Sequence, residues 1–551
     1  MKSRLPAVFA FIALSLAACG GGGGGGGGGQ LPPAPQSSAT PPVSTPTGSP
    51  TAKPTTKPST GPTTSPSSSP TTKPSTSPTT SPTSSPTATP TSSPTIKPTP
   101  TPTIKPTPTP TTAPTPTPTQ TYYPPDPVSR IGSTYGKFGL AQIFDYYPSD
   151  RTNIPASQAT SDAGRYNFLW GSFDQAAGDP GGPGPGAWRQ GNGSILASRY
   201  YIIEEDNVIT SGHNLAWFQA NHPDWILYAC NSSGQMTSDY AYTPGDGFQD
   251  VPLNFENPAV QQYQLSDPNY GLIHFAQVNG YTTIALDQVI FQNFMVGGNP
   301  ELGQTENTSE YACGTRNSDG SANIIYSGKN DPRWTSDVLT WVAYAYQQAH
   351  NAGMTLAVNH PPGNPNNGNE QTVMSNADVM LDEGGFSDYG TSQLTTPGVY
   401  TNAYNYMEAV QLRGKAVVDI DRWTSDGLSP ASNHVEYGMA TYALTNEGNL
   451  DLYQIGKVAA GYGYGAEDYF QAYQTVLGPP CTAAQNGGGS IYARRFASGL
   501  VVANVGASSA QSFNLPGNHT YSDVFGRPLS SPLSINSEDG YVLVTSGNGC
   551  Q

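Results

Sequence analysis

Carboxylate side chains end several apolar runs in this 551-residue chain. Asp287 closes the run TTIAL, and Asp382 and Glu383 together close the run ADVML. Two carboxyl groups held close together, one ionised and one protonated, can hydrolyse a glycosidic bond. The chemistry that these residue types suggest is therefore the acid–base hydrolysis of a sugar linkage.

Other polar and aromatic residues follow apolar runs in the same way and are candidates for binding a sugar. Carboxylates and amides hydrogen-bond hydroxyl groups, and aromatic faces stack on sugar rings. The residues that we predict to bind substrate are Asp145, Glu204, Asn359, Asp382, Asp421 and Trp423. The simpler interpretation of Asp287 is that it caps the next helix or binds a neighbouring loop, since Asp is a common N-cap. Asp382 and Asp421 are either binding or structural groups.

The elements that must position these residues are short apolar runs, several of them separated by segments of helical periodicity. There are eight such runs: FGLAQIFD, YNFLWGS, SRYYIIEED, TTIALDQV, MTLAVNHP, ADVMLDEGG, KAVVDIDR and LDLYQIG. The clearest helix is WTSDVLTWVAYAYQQAHNAG, with Thr335 or Ser336 as its predicted N-cap and Gly353 as its stop.

A helix followed by a buried strand, repeated along a chain, is the pattern of parallel βα units. No glycine-rich phosphate fingerprint follows any of the runs, so a (β/α)8 TIM barrel is favoured over a doubly wound α/β sheet. The ends of all eight strands would then meet at one mouth. After about Pro480, short β runs predict an antiparallel β-sandwich. We assign residues 122–480 to the barrel and residues 481–551 to the C-terminal β domain.

The N-terminal segment reads as an export signal. Residues 1–19, MKSRLPAVFAFIALSLAAC, have a basic start, a short apolar run and small residues before Cys19. LAAC resembles the bacterial lipobox, so we expect Cys19 to carry lipid. A plain secretory signal with an incidental cysteine is the alternative. Because Gly20 follows the cysteine where an inner-membrane retention signal would have Asp, we expect a cell-envelope location at the outer membrane.

Residues 20–121 consist of a glycine run and then repeats of Pro, Thr and Ser. This composition cannot bury a core and predicts a disordered linker, which would carry the barrel away from a lipid anchor. The alternative is that the repeat is itself recognised by a partner. Its uniform composition of Pro, Thr and Ser favours a spacer or an O-glycosylated stem.

Lipidation of Cys19 leaves four cysteines in an exported chain, and an even number indicates two disulfides. The four are Cys230, Cys313, Cys481 and Cys550. Of the three pairings that four cysteines allow, we favour Cys230–Cys313 and Cys481–Cys550, since each pair lies within one proposed domain. Metal binding is disfavoured because no CxxC or CxxH spacing occurs among them.

Charge and missing motifs exclude several functions. The formal net charge is −16, and the absence of basic clusters argues against nucleic acid. Neither the GxSxG motif of serine hydrolases nor the HExxH motif of zinc proteases is present. We therefore expect a monomer that acts on a poly- or oligosaccharide without a cofactor or metal.

Five segments resemble a known family: HPDWILY, PLNFENPAVQQY, VNGYTTIALDQV, ADVMLDEGGF and YARRFASGLVVANVG. They are similar to hypothetical glycosyl hydrolase family fifteen, which is related to the alpha-galactosidase superfamily. The resemblance extends from about Phe138 to Val544. It implies a (β/α)8 barrel with a C-terminal β domain, a nucleophile on strand four and an acid–base residue on strand six.

Carried onto this sequence, the resemblance makes Asp287 the nucleophile and Glu383 the acid–base residue. The superfamily usually has an aspartate on strand six, whereas this chain has the adjacent pair Asp382 and Glu383. The expected function is a cell-surface glycoside hydrolase. The alternative is a non-catalytic carbohydrate-binding or matrix lipoprotein on a degenerate barrel, which would not need two carboxylates at catalytic separation.

The lipobox gives a first prediction. We expect a Cys19→Ser variant to be lost from the membrane fraction, because the lipid is the anchor that this sequence pattern provides. The measurement is fractionation of cells that express the full chain, with the unaltered chain as the control. Equal membrane association of the variant and the unaltered chain would contradict lipidation at Cys19.

Overall fold

The computed structural model describes residues 136–144, 154–179, 181–244, 250–386, 397–423, 433–446, 451–457, 469–505 and 509–550. The predicted signal peptide, Cys19 and the linker at 20–121 lie outside these residues. Asp145, the substrate-binding candidate after the first apolar run, also lies outside them.

Eight parallel strands form one sheet and follow one another in sequence order. We number them one to eight: Ala141–Ile143, Phe168–Trp170, Leu196–Ile202, Thr283–Asp287, Thr355–Asn359, Val379–Asp382, Ala416–Trp423 and Asp451–Lys457. Each strand overlaps one of the eight apolar runs identified in the sequence. The first and last strands contact each other, so the sheet curves into a nearly closed TIM-like barrel.

Helices connect the strands and cover the outer face of the sheet. The described helices are Ala156–Asp162, Gly184–Gly191, Val208–Ser211, Leu215–Asn221, Pro258–Ser266, Leu272–Val278, Pro332–Asn351, Gly368–Ser375, Pro397–Gln411 and Asn433–Thr445. Among the residues described, none of these helices is both long and apolar enough to cross a membrane.

The helix Pro332–Asn351 begins earlier than predicted. Its N-cap is Asp331, whose side chain accepts a hydrogen bond from the Arg333 N–H at 3.0 Å. The predicted caps at Thr335 and Ser336 were wrong, because Pro332 is tolerated in the first turn of a helix. The backbone N–H groups of that turn have no acceptor within the helix, so a residue without an N–H costs no hydrogen bond there. The predicted stop is confirmed, since Gly353 adopts φ 73° directly after the helix end.

Side chains on the strands alternate between the inside and the outside of the barrel. The inner series forms one core cluster: Ala141, Ile143, Phe168, Trp170, Leu196, Ala285, Ala357, Val379, Leu381, Ala416, Val418 and Ile420. The outer series packs on the helices and includes Leu169, Ile284, Leu286, Leu356, Val358, Met380 and Val417. This alternation decides which polar residues at the strand ends face the mouth of the barrel.

The segments that follow strands three and four form an antiparallel sheet that the sequence analysis did not predict. This insert sheet has the strand order Ala322–Ile324, Tyr311–Arg316, Tyr228–Cys230, Met236–Tyr242 and Val296–Gly297. A further pair of short antiparallel strands, Glu205–Asp206 and Val251–Pro252, lies in the segment between strands three and four. The Cys230–Cys313 disulfide joins the two segments, with Cα atoms 5.6 Å apart.

The C-terminal domain is built from antiparallel sheets, as predicted. Its larger sheet has the order Gln485–Gly488, Ile491–Phe496, Gly499–Asn504, Gly540–Thr545, Tyr521–Asp523 and Pro528–Leu529. Gln511–Phe513 and Leu533–Ile535 form a second, two-stranded sheet on the same apolar core. The Cys481–Cys550 disulfide joins the two ends of this domain, with Cα atoms 5.4 Å apart.

The C-terminal domain packs on the helix Asn433–Thr445 of the barrel. At Gly540 a Cβ atom would lie 2.8 Å from the Cβ of Ala440, so glycine allows the strand to approach the helix closely. The TIM-like barrel with a C-terminal antiparallel sheet domain is thus confirmed, and so is the predicted pairing of the four cysteines.

The disulfide of the insert sheet gives a second prediction. Replacing Cys230 and Cys313 together by Ala should lower the free energy of unfolding by about 4 kcal/mol, because the bond closes a long loop in the unfolded chain. The two cysteines are 83 positions apart, against 69 for Cys481 and Cys550. Urea unfolding of both double variants measures the effect. An unchanged unfolding midpoint for the first variant would contradict a stabilising bond there.

Candidate active site

The predicted catalytic residues lie on neighbouring strands. Asp287 is the last residue of strand four, Asn359 is the last residue of strand five, and Glu383 directly follows strand six. Asp287, Asn359 and Glu383 all continue the inner series of their strands, after Ala285, Ala357 and Leu381. Three adjacent strands therefore bring these side chains to the carboxyl end of the barrel, where barrel enzymes have their active sites.

One nitrogen atom connects the two carboxylates. The Asn359 Nδ2 donates to Asp287 Oδ1 at 2.6 Å and to Glu383 Oε2 at 3.2 Å. These two oxygen atoms can therefore be at most roughly 6 Å apart, which is near the separation of about 5 Å found in retaining glycosidases. The sequence predicted Asn359 as a binding residue, and the structure makes it the link between the two predicted catalytic groups.

Asp287 accepts two further hydrogen bonds. The Tyr200 hydroxyl donates to Oδ2 at 2.5 Å, and the backbone N–H of Gln288 donates to Oδ1 at 2.9 Å. Tyr200 lies on strand three and packs against the inner cluster of the barrel. Donors from three different strands or strand ends thus surround one carboxylate, and such donors stabilise its ionised form.

The environment of Asp287 also opposes ionisation. Asp287 is only 8% exposed, and burial, with the nearby Glu383 carboxylate second, raises the pKa of Asp287 to about 6. The hydrogen bonds from Tyr200, Gln288 and Asn359 act in the opposite direction. With a pKa of about 6, Asp287 is mostly ionised at neutral pH and mostly protonated at pH values well below that.

The two acidic residues after strand six have different surroundings. Asp382 continues the outer series, is buried, and accepts hydrogen bonds from the N–H groups of Gly384 and Gly385, both at 3.1 Å. Glu383 is half-buried and reaches Asn359. The Asp382 side chain therefore braces the turn after strand six, and its role in binding substrate stays a prediction.

Gly385 shows how closely this turn approaches strand seven. It adopts φ 54°, and a Cβ there would lie 2.3 Å from the carbonyl oxygen of Ile420 and 2.8 Å from Asp421 Oδ1. Only glycine fits both the backbone conformation and this contact. The turn that carries Glu383 is therefore fixed against the neighbouring strand.

Two other predicted binding residues lie on strand seven. Asp421 is fully buried and belongs to the outer series with Val417, whereas Ile420 faces the interior. The alternation thus places Asp421 on the outer face of its strand, and its role in binding substrate stays a prediction. Trp423 ends the strand, and its side chain lies outside the part of the chain that the structure describes.

Glu204, two positions beyond strand three, is fully buried. Within the described residues, neither of its carboxyl oxygens has a hydrogen-bond partner. Burial raises the pKa of Glu204 well above its ordinary value, and the charges of Glu205 and Asp287 raise it further. Burial and the neighbouring acids therefore both favour the protonated form of Glu204. Its role in binding substrate stays a prediction.

Sequence reasoning missed the roles of Tyr200 and Gln288. Tyr200 is inside the apolar run of strand three, and only its alternation with the inner residues marks it as facing the barrel interior. Gln288 has φ 58°, and Phe144, which directly follows strand one, has φ 52°. Left-handed backbone at non-glycine residues is uncommon and is concentrated at functional sites, but it has no sequence signal at a glutamine or a phenylalanine.

Aromatic rings pack around Tyr200, the donor to Asp287. Phe144 meets the Tyr200 ring edge-on at 5.9 Å between centroids and stacks on Phe173 at 5.5 Å. Trp170, at the end of strand two, belongs to the inner cluster. Within the described segments, no group of three or more His, Cys, Asp or Glu side chains is arranged to hold a metal ion.

No protein-family model matches the chain, and no curated protein is similar to it in sequence. Among solved structures, a GH27 β-L-arabinopyranosidase from Geobacillus stearothermophilus has a TM-score of 0.41 and 9% identity, over 75% of this chain and 96% of its own. A variant of that enzyme in complex with arabinose has a TM-score of 0.40 and 10% identity, over 75% and 97%. A GH20 exo-β-N-acetylglucosaminidase from Vibrio harveyi has a TM-score of 0.27 and 9% identity, over 52% and 42%. Values this low carry no information about activity.

The raised pKa of Asp287 gives a third prediction. If ionised Asp287 is required, activity should fall as the pH drops through about 6. Replacing Asn359 by Ala removes a donor from the carboxylate, so the acidic limb of the pH profile should move to higher pH. The measurement is kcat/KM against pH, with Asn366→Ala, an exposed asparagine in the next loop, as the control. If the acidic limb of the Asn359→Ala profile has the same midpoint as that of the unaltered protein, Asn359 does not stabilise the ionised form of Asp287.

Proposed function

We propose that this protein is a retaining glycoside hydrolase in which Asp287 is the nucleophile and Glu383 is the acid–base residue. The observation that carries the proposal is the Asn359 amide nitrogen, which hydrogen-bonds both carboxylates at once. A protein that only bound carbohydrate would not need two carboxylates at this separation. The geometry therefore favours the enzyme over the non-catalytic alternative.

The proposed reaction has two steps. In the first, Asp287 attacks the anomeric carbon while Glu383 donates its proton to the glycosidic oxygen, so the leaving sugar departs as an alcohol. The product of this step is an ester between Asp287 and the remaining sugar. In the second step Glu383 removes a proton from water, the water oxygen displaces Asp287, and both carboxyl groups return to their starting states.

The surroundings of the two residues support these roles. Three hydrogen-bond donors hold Asp287 in one orientation and favour its ionised form, as a nucleophile requires. Glu383 has a longer side chain, is half-buried and stands in a glycine-flanked turn, so a leaving group and water can both approach it. Asn359 keeps the two groups at a fixed separation.

The cellular setting is part of the same proposal. The lipobox at Cys19 and the Pro/Thr/Ser linker at 20–121 support an envelope lipoprotein whose barrel acts on a poly- or oligosaccharide at a distance from the membrane. The family resemblance supports a complete (β/α)8 barrel and a relationship to the alpha-galactosidase superfamily. We propose that the enzyme works as a monomer.

The catalytic pair gives a fourth prediction. Asp287→Asn and Glu383→Gln should each lower kcat/KM by roughly a thousandfold or more, because each removes a group that acts in the transition state. The measurement is release of reducing ends from a panel of polysaccharides. Glu306→Gln, an exposed glutamate of the insert, is the matched control and should keep wild-type activity. Thermal melting of every variant separates lost chemistry from lost folding.

Two results would count against the proposal. Full activity of the folded Asp287→Asn variant would leave carbohydrate binding as the better interpretation. Proton NMR of the first product formed gives the stereochemical outcome, and we expect the anomeric configuration of the substrate to be retained. Inversion would show that a water molecule, and not Asp287, attacks the sugar.

A further inference from the structure

The backbone directly after Asp287 is in a strained conformation. Gln288 has φ 58°, a left-handed value that costs a residue with a side chain about 1 kcal/mol or more. In this conformation its N–H donates to Asp287 Oδ1 at 2.9 Å. Strain of this kind persists only where neighbouring groups hold the backbone in place, so something must fix the turn.

The next residue, Val289, is held from the adjacent strand. Its N–H donates to the carbonyl oxygen of Asn359 at 3.3 Å. Its own carbonyl oxygen lies 2.6 Å from His360 Nδ1. Because a carbonyl oxygen only accepts, Nδ1 carries the hydrogen in this bond. Val289 is thus tied to both residues at the end of strand five.

The other nitrogen of the same imidazole is also engaged. His360 Nε2 lies 2.9 Å from Glu370 Oε2, on the helix Gly368–Ser375 that follows strand five. His360 is 2% exposed and Glu370 is 7% exposed. The Gly363 backbone packs directly on the Glu370 carboxylate, since a Cβ at Gly363 would lie 1.9 Å from its Oε1. The imidazole therefore spans from this helix to the turn after Asp287.

We propose that His360 and Glu370 form a positioning pair that holds Val289 and thereby keeps the Gln288 N–H on the Asp287 carboxylate. Neither residue touches the substrate. The inference rests on the proposed role of Asp287 as the nucleophile, and it adds the groups that orient that nucleophile. A purely structural role would instead stabilise the fold without affecting the hydrogen bonds of Asp287.

The electrostatic consequence has a definite sign. The other groups that face Asp287 are the donors Tyr200 and Asn359 and the acids Glu383 and Glu204. All four remain when His360 is replaced. Loss of the Gln288 N–H then removes one donor to the ionised form, so the acidic limb of the pH profile moves to higher pH.

The direct test is hydrogen–deuterium exchange of the full chain, followed for the peptide that contains Gln288 and Val289. In His360→Leu we expect the exchange of these amides to be at least about tenfold faster than in the wild type, because the turn opens more often. Glu370→Gln, which keeps the side-chain size and removes the charge, should give a smaller increase. His274→Leu is the matched control, since His274 is exposed on the helix Leu272–Val278.

A second replacement shows whether the pair acts through Gln288. Glycine adopts φ 58° without strain, so in a Gln288→Gly background the turn needs less support. We expect His360→Leu to change the exchange of Val289 and the position of the acidic limb much less there than in the wild-type background. Equal changes in both backgrounds would show that His360 does not act on the strained turn.

The outcomes separate the two proposals. Unchanged exchange in His360→Leu overturns the positioning pair even if the protein hydrolyses glycosides. Faster exchange in a protein that hydrolyses no glycoside supports the pair and rejects the proposed function. If His360→Leu does not fold, the Glu370→Gln variant is used for the test. Unchanged hydrogen–deuterium exchange of the Gln288 and Val289 amides in Glu370→Gln then overturns the inference.

Discussion

The hydrogen bonds that one Asn359 amide nitrogen donates to two carboxylates are the interaction on which this site depends. The two carboxylates repel each other, and burial disfavours the charged form of Asp287. Donors that reach them from neighbouring strands offset both effects. The parallel register places Asn359 level with Asp287, because Val358 pairs with Leu286. Asn359 itself pairs with Leu381 on strand six, so Glu383 lies two residues further along that strand and its longer side chain reaches Asn359. A shift of one strand by one residue would turn its polar side chain to the outer face.

Three acidic groups near the site have three different environments. Asp287 is buried with three donors, Glu383 is half-buried at a turn, and Glu204 is fully buried with neither oxygen hydrogen-bonded within the described residues. Burial raises the pKa of Glu204 well above its ordinary value and the pKa of Asp287 to about 6. Hydrogen bonds from Tyr200, Gln288 and Asn359 favour the ionised form of Asp287 and act against the effect of burial there.

The loops of the barrel are fixed by different means. The segments after strands three and four share the insert sheet and the Cys230–Cys313 bond, which limits how far they can separate. The turn after strand four is tied to strand five through Val289, and the turn after strand six packs on strand seven through Gly385. Barrel enzymes place their chemistry on the segments that follow strands, and here short contacts between neighbouring segments make those segments rigid enough to orient a carboxylate.

The sequence by itself determined the eight strands, the C-terminal sheets, the cysteine pairing and the carboxylates at the strand ends. Hydrophobic periodicity and the position of polar residues after apolar runs are local properties of the sequence, so they can be recognised without knowing the fold. The sequence did not predict the insert sheet, because its short strands pair across two separate loops. It also did not distinguish Asp382 and Asp421 from Glu383, or reveal the links made by Tyr200, Asn359 and His360. Those depend on which face of a strand a side chain occupies and on contacts between residues far apart in the chain, and only the folded barrel decides both.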